Sequence, residues 1–242
     1  MPRIPMPTGS DDDAYKKNTS GQYEALGRFV EAFERMVHEV RESSIALIER
    51  DGRHTRLVEV ALHHQSLTAK PLLDIFRALV MEIVDDAIRS DKDKEAGIID
   101  LDPPLVKDIL GDPLHFTDKE RQTFLGAMSA LAEEFEYLST RRNELLHATW
   151  FVGFVDNDDP NASEFYARKF KTTKTGLTPI DLPKNAQQLK DLSARCDEAT
   201  NWIAWLHTCA CGTDKILDRF QAQGKQWWLI WPQGGRTTFP QK

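Results

Sequence analysis

A long run of apolar residues at helical spacing constrains the fold of this chain more than any other feature. From Tyr23 to about Arg50, apolar side chains recur every three or four positions and so share one face of an α-helix. Its members are Leu26, Phe29, Val30, Phe33, Met36, Val37, Val40, Leu47 and Ile48. At roughly 1.5 Å per residue such a helix is about 45 Å long. A helix of that length must pack along other long helices.

Similar apolar faces predict further helices. They span residues 54–66, 68–90, 103–112, 117–147, 185–210 and 214–221. Two of these helices have recognisable starts, because Thr68 is typical of an N-cap and Thr117 to Glu120 matches a capping box.

The spacing of the apolar residues is no longer helical after the third long helix. Residues 150–155 and 164–171 are rich in β-forming residues and flank an Asp- and Asn-rich loop, which predicts a hairpin over about 150–171. Residues 176–183 are predicted to form a loop. The fold class is therefore all-α: an up-and-down bundle of long helices with a small β-hairpin inserted before the last long helix.

The two ends of the chain differ from the bundle. Residues 1–20 are rich in proline, contain three consecutive aspartates and lack apolar periodicity, so we expect a disordered leader. Residues 21–222 are predicted to form a single domain. Residues 223–242 are interpreted as an irregular tail, whose Trp227, Trp228 and Trp231 we expect to pack on this chain or on a partner. An interaction scaffold that uses this tail is one hypothesis for function.

Composition narrows the class of protein. Hydrophobic residues make up 40% and charged residues 29%, as in ordinary globular proteins. No apolar run approaches the roughly 20 residues of a membrane helix, and residues 1–20 lack a signal-peptide core. We therefore expect a cytoplasmic protein that does not contact a membrane.

Charge is unevenly distributed. The net charge of −7 argues against a protein that coats nucleic acid without specificity. Between Ser163 and Gly176, however, the sequence contains four basic residues and one acidic residue. This segment either binds phosphate groups or is a solvated basic strand.

The cysteines and histidines do not predict a metal site. Cys196, Cys209 and Cys211 lack a second Cys or His cluster that would complete a tetrahedral site, so we interpret them as structural thiols. His63 and His64 are adjacent and point about 100° apart on a helix. No metal and no cofactor is predicted.

The residues with the most potential for chemistry stand at the end of the third long helix. Arg142 falls on its apolar stripe, where a guanidinium needs a carboxylate, carbonyl or phosphate partner. Asn143 and His147 are four positions apart and share a face. Arg142 and His147 are separated by about 140° around the axis, so either the arginine stem curls around or a second helix supplies its own copy.

The hexapeptide from Arg142 to His147 resembles the signature of the HEPN superfamily (higher eukaryotes and prokaryotes nucleotide-binding domain), an arginine, a polar residue and then a histidine late in a long helix. Members are helical bundles, usually two-fold dimers, and many are metal-independent ribonucleases of toxin–antitoxin, phage-defence and RNA-processing systems. The resemblance covers residues 23–210 in general pattern and the hexapeptide in detail.

The resemblance implies an endoribonuclease that acts as a homodimer on RNA, with a cognate antitoxin or regulatory protein as a further partner. His147 would act as general base on a ribose 2′-hydroxyl, Arg142 would stabilise the phosphate, and Asn143 would position the phosphate or the histidine. The products would be a 2′,3′-cyclic phosphate and a 5′-hydroxyl. Flanking phosphates would be bound by basic residues that we infer from the charge pattern: Arg141, Arg168, Lys169 and Lys171.

A non-catalytic alternative uses the same residues. Arg142 would then be a salt-bridged residue of the packing stripe, and Asn143 with His147 would end the helix at a dimer face. On that interpretation the chain is a HEPN-like dimerisation, nucleotide-binding or interaction module.

Overall fold

The fold class is confirmed as a bundle of long helices with a β-hairpin inserted before the last long helix. The computed structural model describes residues 11–50, 60–64, 68–95, 113–147, 149–156, 159–168, 170–173, 176–179 and 185–239. Side chains are described within residues 20–49, 60–64, 68–93, 113–147 and 185–239.

Four long helices carry the fold. They are α1 (Asp11–Arg50), α2 (Ala69–Glu95), α3 (Asp118–Leu146) and α4 (Ala186–Ala210). Residues 60–62 are also helical, whereas the rest of the helix predicted over 54–66 and all of the one predicted over 103–112 lie outside the described residues. Among the helices that are described, none contains an apolar stretch long enough to cross a bilayer.

Helix α1 begins earlier than predicted. Residues 11–20 are helical, so the leader that we expected to be disordered over residues 1–20 is wrong for its second half, and residues 1–10 lie outside the described part. The triple aspartate explains the difference. Acidic residues near a helix N-terminus are stabilised by the helix dipole, so this triplet is as compatible with a helix start as with disorder.

Local capping fixes the starts of α3 and α4. The backbone N–H of Glu120 donates to Thr117 Oγ1 at 3.2 Å, and the backbone N–H of Thr117 donates to Glu120 Oε2 at 2.8 Å. This reciprocal pair is the predicted capping box. At α4 the backbone N–H of Gln188 donates to Asn185 Oδ1 at 2.9 Å.

The region between α3 and α4 contains two antiparallel strand pairs. Strands β1 (Thr149–Asp156) and β2 (Asp159–Arg168) form the predicted hairpin, but Phe170 and Lys171, which were predicted to belong to its second strand, lie in the next strand pair. Strands β3 (Phe170–Thr173) and β4 (Gly176–Pro179) form a second one. The loop predicted over 176–183 is therefore wrong for residues 176–179, because pairing with β3 supplies backbone partners that composition does not reveal.

The chain divides into two compact units. Unit 1 contains the chain up to Phe33 and residues 138–196, and unit 2 contains residues 34–137 and 197 onward. Phe29 and Leu145 are fully buried in unit 1, as are Phe76 and Leu131 in unit 2.

A three-stranded antiparallel sheet ends the chain in unit 2. It follows the four-residue helix α5 (Ile216–Arg219) and consists of β5 (Phe220–Gln223), β6 (Gln226–Ile230) and β7 (Arg236–Thr237). Two predictions are corrected here: the helix over 214–221 covers only α5, and the irregular tail over 223–242 contains β6 and β7. Its tryptophans pack on this chain, as the Trp231–Trp205 edge contact (6.5 Å between ring centroids) illustrates.

Candidate active site

The predicted site lies where α3 ends, in unit 1. Arg142 and Asn143 lie four and three residues before the helix ends at Leu146. His147 is the first residue beyond it, and its backbone N–H donates to the Asn143 carbonyl at 3.2 Å. That bond continues the helical pattern by one residue, so the backbone of His147 is fixed relative to Asn143.

Arg142 is half-buried on the packed side of the helix, as its place in the apolar stripe predicts. Its Cζ lies 5.7 Å from the centroid of the Phe33 ring on α1. Its Nη1 donates to Asn143 Oδ1 at 3.3 Å. A guanidinium over an aromatic ring, with a hydrogen bond from one of its nitrogen atoms, is usual for a partly buried arginine. The structure thus brings Arg142 and Asn143 together.

Several side chains after Arg142 are exposed to solvent. Asn143 and His147 are both exposed, and the Leu146 side chain between them in sequence is 42% exposed. An exposed imidazole can exchange a proton with a ligand, while a guanidinium and an amide N–H can donate to an anion. The end of α3 therefore offers one proton acceptor and two kinds of hydrogen-bond donor on a rigid element.

Of the predicted phosphate-binding residues, only Arg141 has a described side chain. Its Nη1 forms an ion pair with Glu144 Oε2 at 3.0 Å, and the two side chains are 27% and 18% exposed. A phosphate at Arg141 would have to compete with this carboxylate. Arg168 and Lys171 belong to β2 and β3, but their side chains are outside the described ones, as is the whole of Lys169.

Two partners of the predicted site residues were missed from the sequence. Glu144 follows Arg141 by three positions, a spacing that favours ion pairs on a helix and was available as a signal. Phe33 lies on α1 and has no local signal that would place it under Arg142. Only the tertiary fold brings that ring to the guanidinium.

Two of the other histidines pair with a carboxylate or a thiol elsewhere in the described part of the chain. His63 Nε2 lies 3.7 Å from Glu42 Oε1, and His207 Nε2 lies 3.5 Å from Cys211 Sγ. All three cysteines are buried, and burial raises the pKa of the Cys209 thiol well above its usual range. Within the part of the chain that is described, no group of three or more His, Cys, Asp or Glu side chains is placed to hold a metal ion.

Comparisons with protein-family models, with curated proteins and with solved structures found no match to this chain. The resemblance to the HEPN superfamily therefore rests on the hexapeptide and on its position at the end of a bundle helix.

Proposed function

We propose that this chain is a HEPN-like, metal-independent endoribonuclease whose active site is shared by two copies. One observation carries the proposal: the Arg142 guanidinium is held against Phe33 and bonded to the Asn143 amide, while His147 stands exposed one helical turn after Asn143. A fixed cation and an exposed base at one helix end are the groups that cleavage through the ribose 2′-hydroxyl requires.

In the proposed reaction, His147 accepts the proton of the ribose 2′-hydroxyl, and the 2′-oxygen attacks the adjacent phosphorus. The bond from phosphorus to the 5′-oxygen breaks, which leaves a 2′,3′-cyclic phosphate. The departing 5′-oxygen takes a proton from water, and the proton accepted by His147 returns to the solvent. Arg142 stabilises the charge that develops on the phosphoryl oxygens, and Asn143 orients the guanidinium.

The helix geometry supports a shared site. Side chains five positions apart project about 140° apart around a helix axis, so a single helix end does not direct Arg142 and His147 at one phosphate. A two-fold axis at this end would place each histidine opposite the other copy's arginine. Leu146, within the hexapeptide, is 42% exposed and would lie in such a contact.

The test is cleavage by purified protein in EDTA. We expect the wild-type chain to cleave single-stranded RNA and to leave 2′,3′-cyclic phosphate ends, while RNA with 2′-O-methyl groups stays intact. His147→Ala and Arg142→Ala should each lower the rate by at least about 100-fold, the usual contribution of a general base or a charge-stabilising donor. His38→Ala, which removes an exposed histidine of α1, serves as the matched control.

Folding of each variant is checked by circular dichroism and thermal melting. Retained cleavage in both motif variants would contradict the proposal, as would a preparation that cleaves no RNA although it is folded and dimeric.

The same exposed Leu146 also favours a second candidate function, a non-catalytic dimerisation module. The half-buried Arg142 would then stabilise the packing of α3 on Phe33. On this alternative, Arg142→Ala lowers the melting temperature or weakens dimerisation, and no RNA-cleaving activity is present to be lost. Measuring cleavage and sedimentation on the same samples separates the two functions.

A further inference from the structure

The carboxyl-terminal sheet has two different faces. Phe220 and Leu229 on one face are 2% and 0% exposed, and Thr237 on the same face bonds to Glu198 of α4. Strand pairing aligns Gln221 with Trp228 and Ile230 with Arg236 on the opposite face. We call this opposite side the outer face; it consists of Gln221, Gln223, Gln226, Trp228, Ile230 and Arg236.

A stacked pair lies at the centre of the outer face. The Arg236 Cζ is 4.6 Å from the centroid of the Trp228 ring. Its Nη1 donates to Gln223 Oε1 at 3.4 Å. Arg236 is exposed and Trp228 is half-buried. The guanidinium is therefore held over an aromatic ring, and the pair is available for further stacking.

The sheet itself carries positive charge, although the protein is acidic. Residues 220–239 contain Lys225 and Arg236 and no aspartate or glutamate, in a chain of net charge −7. Lys225 is exposed in the turn between Gln223 and Gln226. The outer face thus combines positive charge with glutamine amides, which both donate and accept hydrogen bonds.

We propose that the outer face binds single-stranded RNA. One base stacks on the Arg236–Trp228 pair, an adjacent phosphate is neutralised by Lys225, and the glutamines contact the edges of bases. Single-stranded nucleic acids are recognised by this combination of planar stacking groups and positive charge. The choice of RNA rests on the proposed function.

The experiment measures binding without cleavage. A fluorescently labelled 2′-O-methyl oligoribonucleotide of about 12 nucleotides, a length within the range that single-stranded binding modules cover, is titrated with the full chain and followed by anisotropy. We expect Arg236→Ala and Trp228→Leu each to weaken binding by roughly tenfold, the effect of losing one stacked base. Arg77→Ala removes an exposed arginine of α2 in the same unit, and we expect it to change affinity by less than about twofold.

Arg236→Lys tests stacking against charge. It keeps the positive charge and loses the planar guanidinium, so we expect binding nearly as weak as in Arg236→Ala. Wild-type affinity in Arg236→Lys would overturn the stacking proposal. Because Arg236 is exposed, its variants should fold normally even if Trp228→Leu does not.

The remaining outcomes separate this proposal from the nuclease. Binding that depends on Arg236 without any RNA cleavage supports the outer face and contradicts the nuclease. If the chain cleaves RNA and its affinity for RNA does not change in the Arg236 and Trp228 variants, only the proposal for the outer face is contradicted. If polyglutamate binds as tightly as RNA and its binding depends on Arg236, the outer face binds an acidic protein. If Arg236→Ala changes the oligomeric state, the outer face contacts a second copy of the chain. Either result overturns the proposal.

Discussion

At the scale of single residues, Glu198 is a half-buried carboxyl whose ionisation affects the stability of the fold. Its Oε1 accepts hydrogen bonds from Trp202 Nε1 at 2.9 Å and from Thr237 Oγ1, which ties β7 to α4. Burial raises the pKa of this carboxyl above its ordinary value of 4.5, and the two hydrogen bonds only partly oppose that shift. The folded chain therefore contains a carboxylate that is poorly solvated at neutral pH.

The sign of the pH dependence follows from the raised pKa of Glu198. A carboxyl with a raised folded-state pKa contributes most to stability below its ordinary value of 4.5, and that contribution is lost as pH rises through the folded-state pKa. Glu198→Gln keeps an acceptor oxygen and removes the charge. We expect this variant to be at least as stable as wild type at pH 7, with a difference that shrinks as pH falls towards 4.5.

Urea unfolding of both proteins across this pH range measures that difference in the free energy of unfolding. Asp74→Asn, at an exposed carboxylate of α2, controls for the removal of one negative charge. A difference between Glu198→Gln and wild type that stays constant with pH would contradict the shift in the pKa of Glu198.

At the scale of elements, the packing of β6 on α3 depends on a glycine. A Cβ at Gly126 would overlap the indole of Trp227, so the absence of a side chain lets the strand approach the helix. Gly27 on α1 is the matched control, because a Cβ there meets nothing within 4 Å.

Gly→Ala substitutions at these two positions should change stability in opposite directions. Gly27→Ala should stabilise the chain by about 0.5–1 kcal/mol, since alanine favours the helix interior. Gly126→Ala should destabilise it by about 1–3 kcal/mol, because Trp227 must move. Chemical denaturation measures both effects. Stabilisation by both substitutions would show that Trp227 does not pack against Gly126.

Local patterns predicted the elements that depend on local interactions. The capping box at Thr117 and the hairpin of β1 and β2 were found from sequence because their determinants are near neighbours in the chain. Strands β6 and β7 were missed because glycines and a proline flank them and their partners are distant: Gly126 and Glu198 stabilise the sheet from other helices. The Arg142–Asn143 pair was foreseeable from adjacency, but the Phe33 ring under Arg142 was not.

At the scale of the whole molecule, the proposed nuclease requires two chains of 27.6 kDa each. We expect sedimentation to show a dimer at the concentrations where RNA is cleaved. Leu146, 42% exposed beside the motif, is the residue of α3 to substitute. Leu146→Asp should shift the chain towards monomer and abolish cleavage, because a buried charge opposes association.

Complementation distinguishes a shared site from two independent ones. Dimers of Arg142→Ala alone and of His147→Ala alone are each expected to be inactive. When the two variants are mixed in equal amounts, random exchange of subunits gives about half of the dimers one chain of each kind. A mixed dimer retains one Arg142 and one His147 on opposite copies, so a shared cleft recovers part of the wild-type rate. The control mixes each variant with the double variant, which cannot restore the pair. Mixed dimers that form but remain inactive would place any catalytic site within one chain.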